Sequence, residues 1–308
     1  MKGLGVTLGL SLGIAFAEEP RPFRADPPKA CDSCDAWNAA QEPFRVFGNT
    51  WYVGTAGLGA VLVTSSAGHV LLDGGLAQSA PRIDASIRKL GFRTEDVRLI
   101  LNSHAHHDHA GGIAALQRHS GATVAASASG ARAIEKGEPT PDDPQYAFGA
   151  EQNGYPPVAK VRVVADGETL RVGDVAITAH YTPGHTPGAT TWSWRSCEKD
   201  VCLDIVYADS LNAVSAPGFR FSGDASHPPL VASFERSIDV VAGLPCDVLL
   251  AVHPGFSRMH EALVRRGASP GAEPMKDPGA CRAYADGARQ RLKARVAEET
   301  SVAPATKP

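Results

Sequence analysis

The chain has 308 residues, of which 43% are hydrophobic and 20% charged, and its formal net charge is −3. This composition is that of an ordinary globular protein, and it excludes an intrinsically disordered chain or a bundle of membrane helices. Because the net charge is small and no basic run is present to neutralise phosphates, nucleic acid is not expected as a partner.

The N-terminus has the pattern of a signal peptide. Lys2 precedes an apolar run over residues 4–16, and the sequence AFA at residues 15–17 supplies small side chains for cleavage. The run is too short for a permanent membrane anchor. We therefore assign residues 1–17 to a signal peptide, with a buried N-terminal helix as the alternative. The expected product is a periplasmic or secreted protein with no membrane anchor after cleavage.

Six cysteines follow the predicted signal peptide. An even number of cysteines in an exported chain indicates disulfides. Sequence proximity suggests one bridge within each of two close pairs, which leaves the last two cysteines for a third bridge. A zinc site built from the two close pairs is the competing interpretation. In chain order the cysteines are Cys31 and Cys34, Cys197 and Cys202, and Cys246 and Cys281.

Predicted strands and helices alternate along the first half of the chain. Residues 18–43, rich in proline, alanine and charge, are expected to form a loosely structured lead-in. Beyond it, β-forming runs end at turn residues, and apolar residues three to four apart indicate helices. These features predict strands at residues 45–53, 60–64, 69–72 and 97–101, and helices at residues 81–90, 112–119 and 129–136.

The second half of the chain continues the alternation. It has predicted strands at residues 161–164, 169–172, 175–180, 190–194, 201–207 and 247–252, helices at residues 230–244, 259–266 and 280–298, and a flexible tail at residues 300–308. The alternation favours a single domain of the α/β (α+β) class over residues 44–299, with two sheets packed face to face and helices outside. A doubly wound nucleotide-binding sheet is the alternative, but no glycine-rich phosphate motif follows the first strand.

The strongest chemical signal is the stretch NSHAHHDHAGG at residues 102–112. Four imidazoles and one carboxylate fall within six residues, directly after an apolar strand and before a glycine pair. Neutral imidazole and carboxylate are the ligands of open, catalytic zinc sites. His104 and His106 project to the same side of an extended segment and can share one ion. Asp108 and His109 follow the turn and can face a second ion.

Two further histidines follow predicted strand ends. His185 lies in the sequence TPGHTPG and His253 in VHPG, each just past a strand. If these ends share one rim of the fold, three histidines hold one ion, and Asp108 with two histidines holds the other. His107 has the opposite parity in its segment, so we expect it to line the site without binding metal. An incidental cluster is disfavoured, because imidazoles packed without metal would need other partners.

The H-x-H-x-D-H motif, the TPGHTPG turn and the later strand-end histidine together resemble the metallo-β-lactamase superfamily. The resemblance runs from Thr50 to about Arg291 and implies a four-layer αβ/βα sandwich with a two-metal site at one edge of its sheets. The sequences LLDGGL at 71–76, YADSL at 207–211 and LPCDVLL at 244–250 resemble the third subclass of class B β-lactamases. This likeness also implies the bridge between Cys246 and Cys281.

The resemblance implies two zinc ions per chain as cofactors. The first is bound by His104, His106 and His185, and the second by Asp108, His109 and His253. The implied reaction is hydrolysis of the β-lactam amide of penicillins, cephalosporins and carbapenems by a metal-bound hydroxide, which gives antibiotic resistance. Asp108 is the expected catalytic residue, because it also orients the hydroxide. The implied partner is a small-molecule β-lactam, and a monomer is expected.

Substrate contacts follow from the same resemblance. Ser210 and Asn212 are expected to contact the carboxylate of the drug, although a serine is usual where Asn212 stands; asparagine still donates hydrogen bonds. Phe148 and Gln152 are expected to form a pocket wall. The first alternative is another hydrolase on this fold, a glyoxalase II-like thioesterase or a lactonase, in which an aspartate at the place of Asp209-Ser210 bridges both metals. The second is a non-catalytic exported zinc-binding protein.

Overall fold

A computed structural model describes residues 22–268 and 275–301. The predicted signal peptide, residues 1–17, and most of the predicted tail lie outside the described residues. Within residues 22–268 and 275–301, two β-sheets form the centre of the molecule, one of seven strands and one of five. Among the described residues, no helix combines the length and the apolar composition needed to cross a lipid bilayer.

The first sheet combines an antiparallel meander with a parallel half. Its strands follow chain order, with β1 to β4 antiparallel and β4 to β7 parallel. Helices connect the parallel strands, as such crossovers require. The strands are β1 (Phe44–Phe47), β2 (Thr50–Tyr52), β3 (Val61–Ser65), β4 (Gly68–Leu72), β5 (Val97–Leu101), β6 (Thr123–Ala126) and β7 (Val161–Val163). The helices after an N-terminal turn, α1 (Cys34–Trp37), are α2 (Ala80–Lys89), α3 (His107–Ala110), α4 (Ile113–Ser120), α5 (Ala128–Lys136) and α6 (Gly149–Asn153).

The second sheet has the order β12-β11-β10-β9-β8, with only β11 and β12 parallel. Its strands are β8 (Thr169–Val172), β9 (Val175–Tyr181), β10 (Thr190–Glu198), β11 (Val201–Ala208) and β12 (Val248–Ala251). The helices of this half are α7 (Val231–Gly243), α8 (Met259–Ala268) and α9 (Ala280–Ser301).

Three buried clusters define four layers. Side chains from both sheets, such as Leu72 and Trp192, fill the space between them. The other face of the first sheet packs on α2, α4 and α5, and that of the second packs on α7 and α9. Neighbouring residues therefore serve different layers: Val61 belongs to the central cluster and Leu62 to the helix-facing one. The predicted αβ/βα sandwich in a single domain is confirmed.

All six cysteines are bridged, in the pairs Cys31–Cys34, Cys197–Cys202 and Cys246–Cys281. This is the pairing suggested by sequence proximity, and it removes the thiolates that the competing zinc site needs. The third bridge ties the strand β12 region to α9.

One strand prediction is wrong. Residues 45–53 form the hairpin β1–β2 and not a single strand, because the chain turns at Gly48, whose φ is +51°. Glycine adopts this left-handed conformation without steric cost. The lead-in also contains more structure than its composition predicts: α1 is held by the Cys31–Cys34 bridge, and the side chain of Trp37 reaches the candidate site described next.

Candidate functional site

Three strand ends meet at one edge of the sandwich. The loop after β5 leads into α3 and carries the H-x-H-x-D-H motif, the turn after β9 carries His185, and the segment after β12 carries His253. The first loop lies close against the turn after β4, since a Cβ atom on Gly112 would stand 2.2 Å from the Gly74 carbonyl oxygen. Only glycine permits this approach, which explains the glycine pair after the motif.

Three imidazoles form the first group. Ligand atoms of His104, His106 and His185 lie within 4.8 Å of one another, and all three side chains are buried. Their ring centroids are 4.8 to 5.0 Å apart. The Nε2 atom of His104 is buried without a hydrogen-bond partner among the described residues. A buried nitrogen lone pair or N–H in this state is costly unless a further group occupies the space.

Asp108, His109 and His253 form the second group. Asp108 Oδ2 is 3.2 Å from His109 Nε2 and 3.4 Å from His253 Nε2, and the two Nε2 atoms are 3.3 Å apart. Zinc bonds of about 2.0–2.1 Å at tetrahedral angles place ligand atoms about 3.3 Å apart. The triangle therefore has the dimensions of one face of a zinc tetrahedron. The residues present fit a zinc ion, and the two groups adjoin, since rings of His104 and His109 are 4.3 Å apart.

The ligand atoms are oriented by partners on the far side of each ring. His104 Nδ1 is 2.6 Å from Asp209 Oδ1, and His106 Nε2 is 3.2 Å from both oxygens of Asp143. Such partners fix the tautomer and the orientation of a metal-binding histidine. Because Asp209 and Asp143 each hold one nitrogen, the other ring nitrogen is left for metal.

Backbone carbonyl groups orient two of the three remaining rings. His185 Nδ1 donates to the Asn212 carbonyl oxygen over 2.8 Å, and His253 Nδ1 donates to the Gly57 carbonyl oxygen over 3.2 Å. His109 Nδ1 lies 3.9 Å from the buried carboxylate of Asp73. In each case the Nε2 atom is directed toward the cluster of ligand atoms.

Burial and mutual repulsion keep the rings of His104 and His185 neutral. Burial lowers the pKa of His104 well below its usual value, and the charges of His109, His185 and His106 lower it further. Burial and His106 lower the pKa of His185 to about 3. His106 differs: burial opposes its charged form, but the Asp143 carboxylate outweighs burial and raises its pKa. Neutral imidazole is the form that binds zinc.

The carboxylate of Asp108 is held in its ionised form. Burial alone would raise its pKa, but the positive charge of His109 and hydrogen bonds from His109 and His253 outweigh burial and place the pKa well below its usual value. A carboxylate together with imidazoles is the donor set of a zinc site.

Asp209 lies behind His104 and not between the two groups. Its Oδ1 contacts His104 Nδ1, which is on the opposite side of the ring from Nε2. Burial and the neighbouring charge of Asp73 raise the pKa of Asp209 well above its usual value. The bridging aspartate expected for a thioesterase is therefore not formed by this residue.

An open cleft of about 840 Å³ covers the two groups. His107 lines it, as predicted from its parity, and so do Ser210 and Asn212. Phe148 and Gln152 do not line it; Gln145, from the same loop, takes that place. The predicted role of these two residues in substrate contact stays a prediction.

Several cleft residues are not predictable from the sequence pattern. Trp37, from the lead-in, packs its ring 5.5 Å from that of His253. His260 and Arg291 also line the cleft although neither follows a strand end. No local pattern marks these positions, because helices and loops far apart in sequence bring them together. Asp143 was missed for the same reason, although an Asp-Asp pair before proline is visible in the sequence.

Comparison with known proteins agrees with this geometry. The family model described as the metallo-beta-lactamase superfamily matches residues 60–257, which is more than half of the chain. This chain belongs to the metallo-β-lactamase superfamily. Among curated proteins, a probable metallo-hydrolase of Burkholderia pseudomallei (strain 1710b) is 32% identical over 119 residues, which are 37% of this chain and 36% of that protein's length.

Solved structures of the superfamily match nearly the whole chain. The Rm3 metallo-β-lactamase is 53% identical with a TM-score of 0.84, covering 88% of this chain and 99% of that one. MEM-A1, a subclass B3 enzyme from a soil metagenome library, is 49% identical with a TM-score of 0.82 (86% and 99% covered). SMB-1, bound to 2-mercaptoethanesulfonate, is 46% identical with a TM-score of 0.81 (85% and 99% covered). The predicted likeness to the third subclass is confirmed.

Proposed function

We propose that this metallo-β-lactamase-fold enzyme hydrolyses the β-lactam amide of penicillins, cephalosporins and carbapenems with two zinc ions bound per chain. One observation carries the proposal. Two groups of three ligand side chains, one of three histidines and one of Asp108 with two histidines, adjoin at the floor of a single cleft. The similarity to Rm3, MEM-A1 and SMB-1, each named as a metallo-β-lactamase, supports the choice of substrate.

The zinc ions are held by the side chains already described. His104, His106 and His185 would hold one, and Asp108, His109 and His253 the other. Zinc bound there would polarise the lactam carbonyl and lower the pKa of water to near 7. Asp108 has two oxygens, so one can bind metal while the other accepts a hydrogen bond from the attacking water and orients it. No serine nucleophile is required.

Ser210 and Asn212 are proposed to bind the carboxylate of the substrate. Both line the cleft, and the Asn212 amide donates to Ser210 Oγ over 3.3 Å. The backbone carbonyl group of Asn212 accepts from His185. Substrate bound by this segment is therefore placed at a fixed position relative to the three-histidine group.

Export is part of the proposal. Residues 1–17 act as a signal peptide, and the mature monomer works in the periplasm or outside the cell, where it destroys β-lactams and gives resistance. Three disulfides in a chain of this size support an oxidising compartment.

The alternatives receive less support. The position of Asp209 behind His104 disfavours a glyoxalase II-like thioesterase. A non-catalytic zinc protein would have closed sites with four protein ligands each. Six side chains for two ions leave positions for water, and the cleft above them is open.

The test is hydrolysis by purified, zinc-loaded protein. Nitrocefin and a carbapenem should be hydrolysed, activity should disappear with a chelator, and zinc should restore it. A lactone and a thioester are assayed in parallel. Protein that is inert toward every β-lactam class but cleaves the lactone or the thioester would overturn the proposal.

A further inference from the structure

Arg291 is the one lysine or arginine among the described residues that line the cleft. It lies on α9 and is partly buried. The other cleft residues include neutral donors such as Ser210 and Asn212 and the ionised Asp108. The guanidinium is therefore the permanent positive charge among these lining residues, since arginine stays protonated at any physiological pH.

Two nitrogen atoms of the Arg291 guanidinium donate no hydrogen bond to any described residue. Its Nε and Nη2 atoms are buried and have no hydrogen-bond partner in the described part of the chain. Two other arginines of α9 are paired: Arg289 with Asp239, and Arg295 with Glu299 and Ser215. Buried charged donors without partners are costly and rare, so their presence on a residue that lines the cleft calls for an explanation.

Arg291 is held beside the residues that surround the metal groups. Its guanidinium carbon lies 5.0 Å from the ring centroid of Phe256, three residues after His253. Two helical turns earlier on α9, the hydroxyl of Tyr284 donates to the Asp209 carbonyl oxygen over 2.7 Å and accepts from the Leu211 amide. Helix α9 is thus fixed to the segment that carries Ser210, and Arg291 extends the same wall of the cleft.

We propose that Arg291 is an anion-binding residue that takes the carboxylate of the substrate together with Ser210 and Asn212. The substrate class rests on the proposed function, whereas the anion site itself does not. The Nε and Nη2 hydrogens point along one edge of the guanidinium, which is the fork that a carboxylate accepts with both oxygens. Neutral donors alone leave the negative charge of the carboxylate uncompensated, and Arg291 supplies the positive charge that compensates it.

The guanidinium edge that carries Nε and Nη2 is buried, so binding of a carboxylate requires the Arg291 side chain to turn toward the cleft. A long, unbranched side chain makes this movement by rotation about its single bonds. The gain is the pairing of donors that have no partner in the ligand-free protein. Charge-assisted hydrogen bonds of this type contribute about 1.5–3 kcal/mol, which corresponds to roughly 10- to 150-fold in affinity.

The direct test uses ligands that are not turned over. Zinc-loaded protein is titrated calorimetrically with mercaptoacetate, 3-mercaptopropionate and 4-mercaptobutyrate, and with the alcohols that replace each carboxylate by a hydroxymethyl group. The three lengths sample the reach from metal to guanidinium. For the wild type, we expect at least one acid to bind with higher affinity than its alcohol. Arg291→Gln should reduce this acid-to-alcohol affinity ratio roughly 10-fold or more, while the affinity for the alcohol changes less than about twofold.

Two further variants sharpen the result. Arg291→Lys keeps the charge but loses the fork and should retain part of the preference. Arg289→Gln removes an arginine two residues away, outside the cleft, and should behave as wild type. If Arg291→Gln leaves every acid-to-alcohol ratio unchanged while its melting temperature is that of the wild type, Arg291 does not bind the anion.

A second assay links the site to turnover. For a penicillin and its methyl ester, Arg291→Gln should raise KM roughly 10-fold for the acid with kcat nearly unchanged, and should leave the ester unaffected. Wild-type protein that hydrolyses neither compound but still shows the thiol preference would refute the β-lactam function and leave the anion site standing. Hydrolysis with an equal change in KM for acid and ester would refute the anion site alone.

Discussion

A hydrogen bond of 2.6 Å joins His104 Nδ1 to Asp209 Oδ1, and neither side chain has more than 1% of its surface exposed. The contact spans 105 residues of sequence and connects the end of β5 to the end of β11. It determines that Nε2, and not Nδ1, of the His104 ring is directed toward the other imidazoles. A residue of the second sheet therefore orients a proposed metal ligand of the first.

Replacement of Asp209 should weaken metal binding without removing a ligand. Asp209→Ala leaves His104 Nδ1 buried without a partner, and loss of such a partner typically lowers metal affinity about 10- to 100-fold. Asp209→Asn keeps an oxygen acceptor and should lose less. Competition with a chromophoric chelator measures the affinity. Wild-type affinity in a folded Asp209→Ala protein would show that the contact does not position the ring.

Asp108→Ala should abolish most turnover and leave the fold intact. The change removes the carboxylate that contacts both His109 and His253 and that we propose orients water. The expected loss in kcat is roughly 10²–10⁴-fold, the range for a lost proton-handling group. Asp142→Ala, at an exposed position, is the matched control. Near-wild-type kcat in zinc-loaded Asp108→Ala would mean that the catalytic centre is misplaced.

Asp73 should be a major determinant of stability. It has a φ of +60° and is fully buried. Its carboxylate accepts hydrogen bonds from the backbone amide and the hydroxyl of Ser103, from the side-chain amide of Asn102 and from the hydroxyl of Tyr207. Asp73→Ala leaves these donors unpaired and should lower the free energy of unfolding by at least about 3 kcal/mol. Urea denaturation measures the change. A loss below about 1 kcal/mol would contradict this assignment.

The disulfides should differ in their contribution to stability. Cys246–Cys281 closes a loop with a sequence separation of 35, against 3 for Cys31–Cys34. Loop-closure entropy gives about 4 kcal/mol for the long loop and about 1.5–2 kcal/mol for the short one. The double alanine variant of Cys246 and Cys281 should therefore have a lower urea midpoint than the double alanine variant of Cys31 and Cys34. The reverse order would show that native contacts, not chain entropy, dominate.

The local part of the site is predictable from sequence, whereas its surroundings are not. His104, His106, Asp108 and His109 stand close together in one motif, and a residue placed just past a strand, such as His253, is at a sheet edge by construction. The same strand patterns predict two sheets with helices outside. These inferences use spacing within one segment, and the structure agrees with them.

Contacts between distant segments leave no comparable signal. Asp143 meets His106, and Trp37 meets His253, only because separate loops pack at the same edge. The hairpin at Gly48 was missed since β-forming residues continue on both sides of the turn. Phe148 and Gln152 stay predicted substrate contacts, whereas Gln145 of the same loop lines the cleft and has no signal of its own in the sequence.

The number of zinc ions bound per chain tests the central claim most directly. Metal-free protein is titrated with zinc, and the content is measured by elemental analysis after removal of excess metal. We predict two ions for the wild type, and one each for His185→Ala and His253→Ala, because each variant loses a ligand from a different group. One ion or none in folded wild-type protein, or two ions in both variants, would contradict the account.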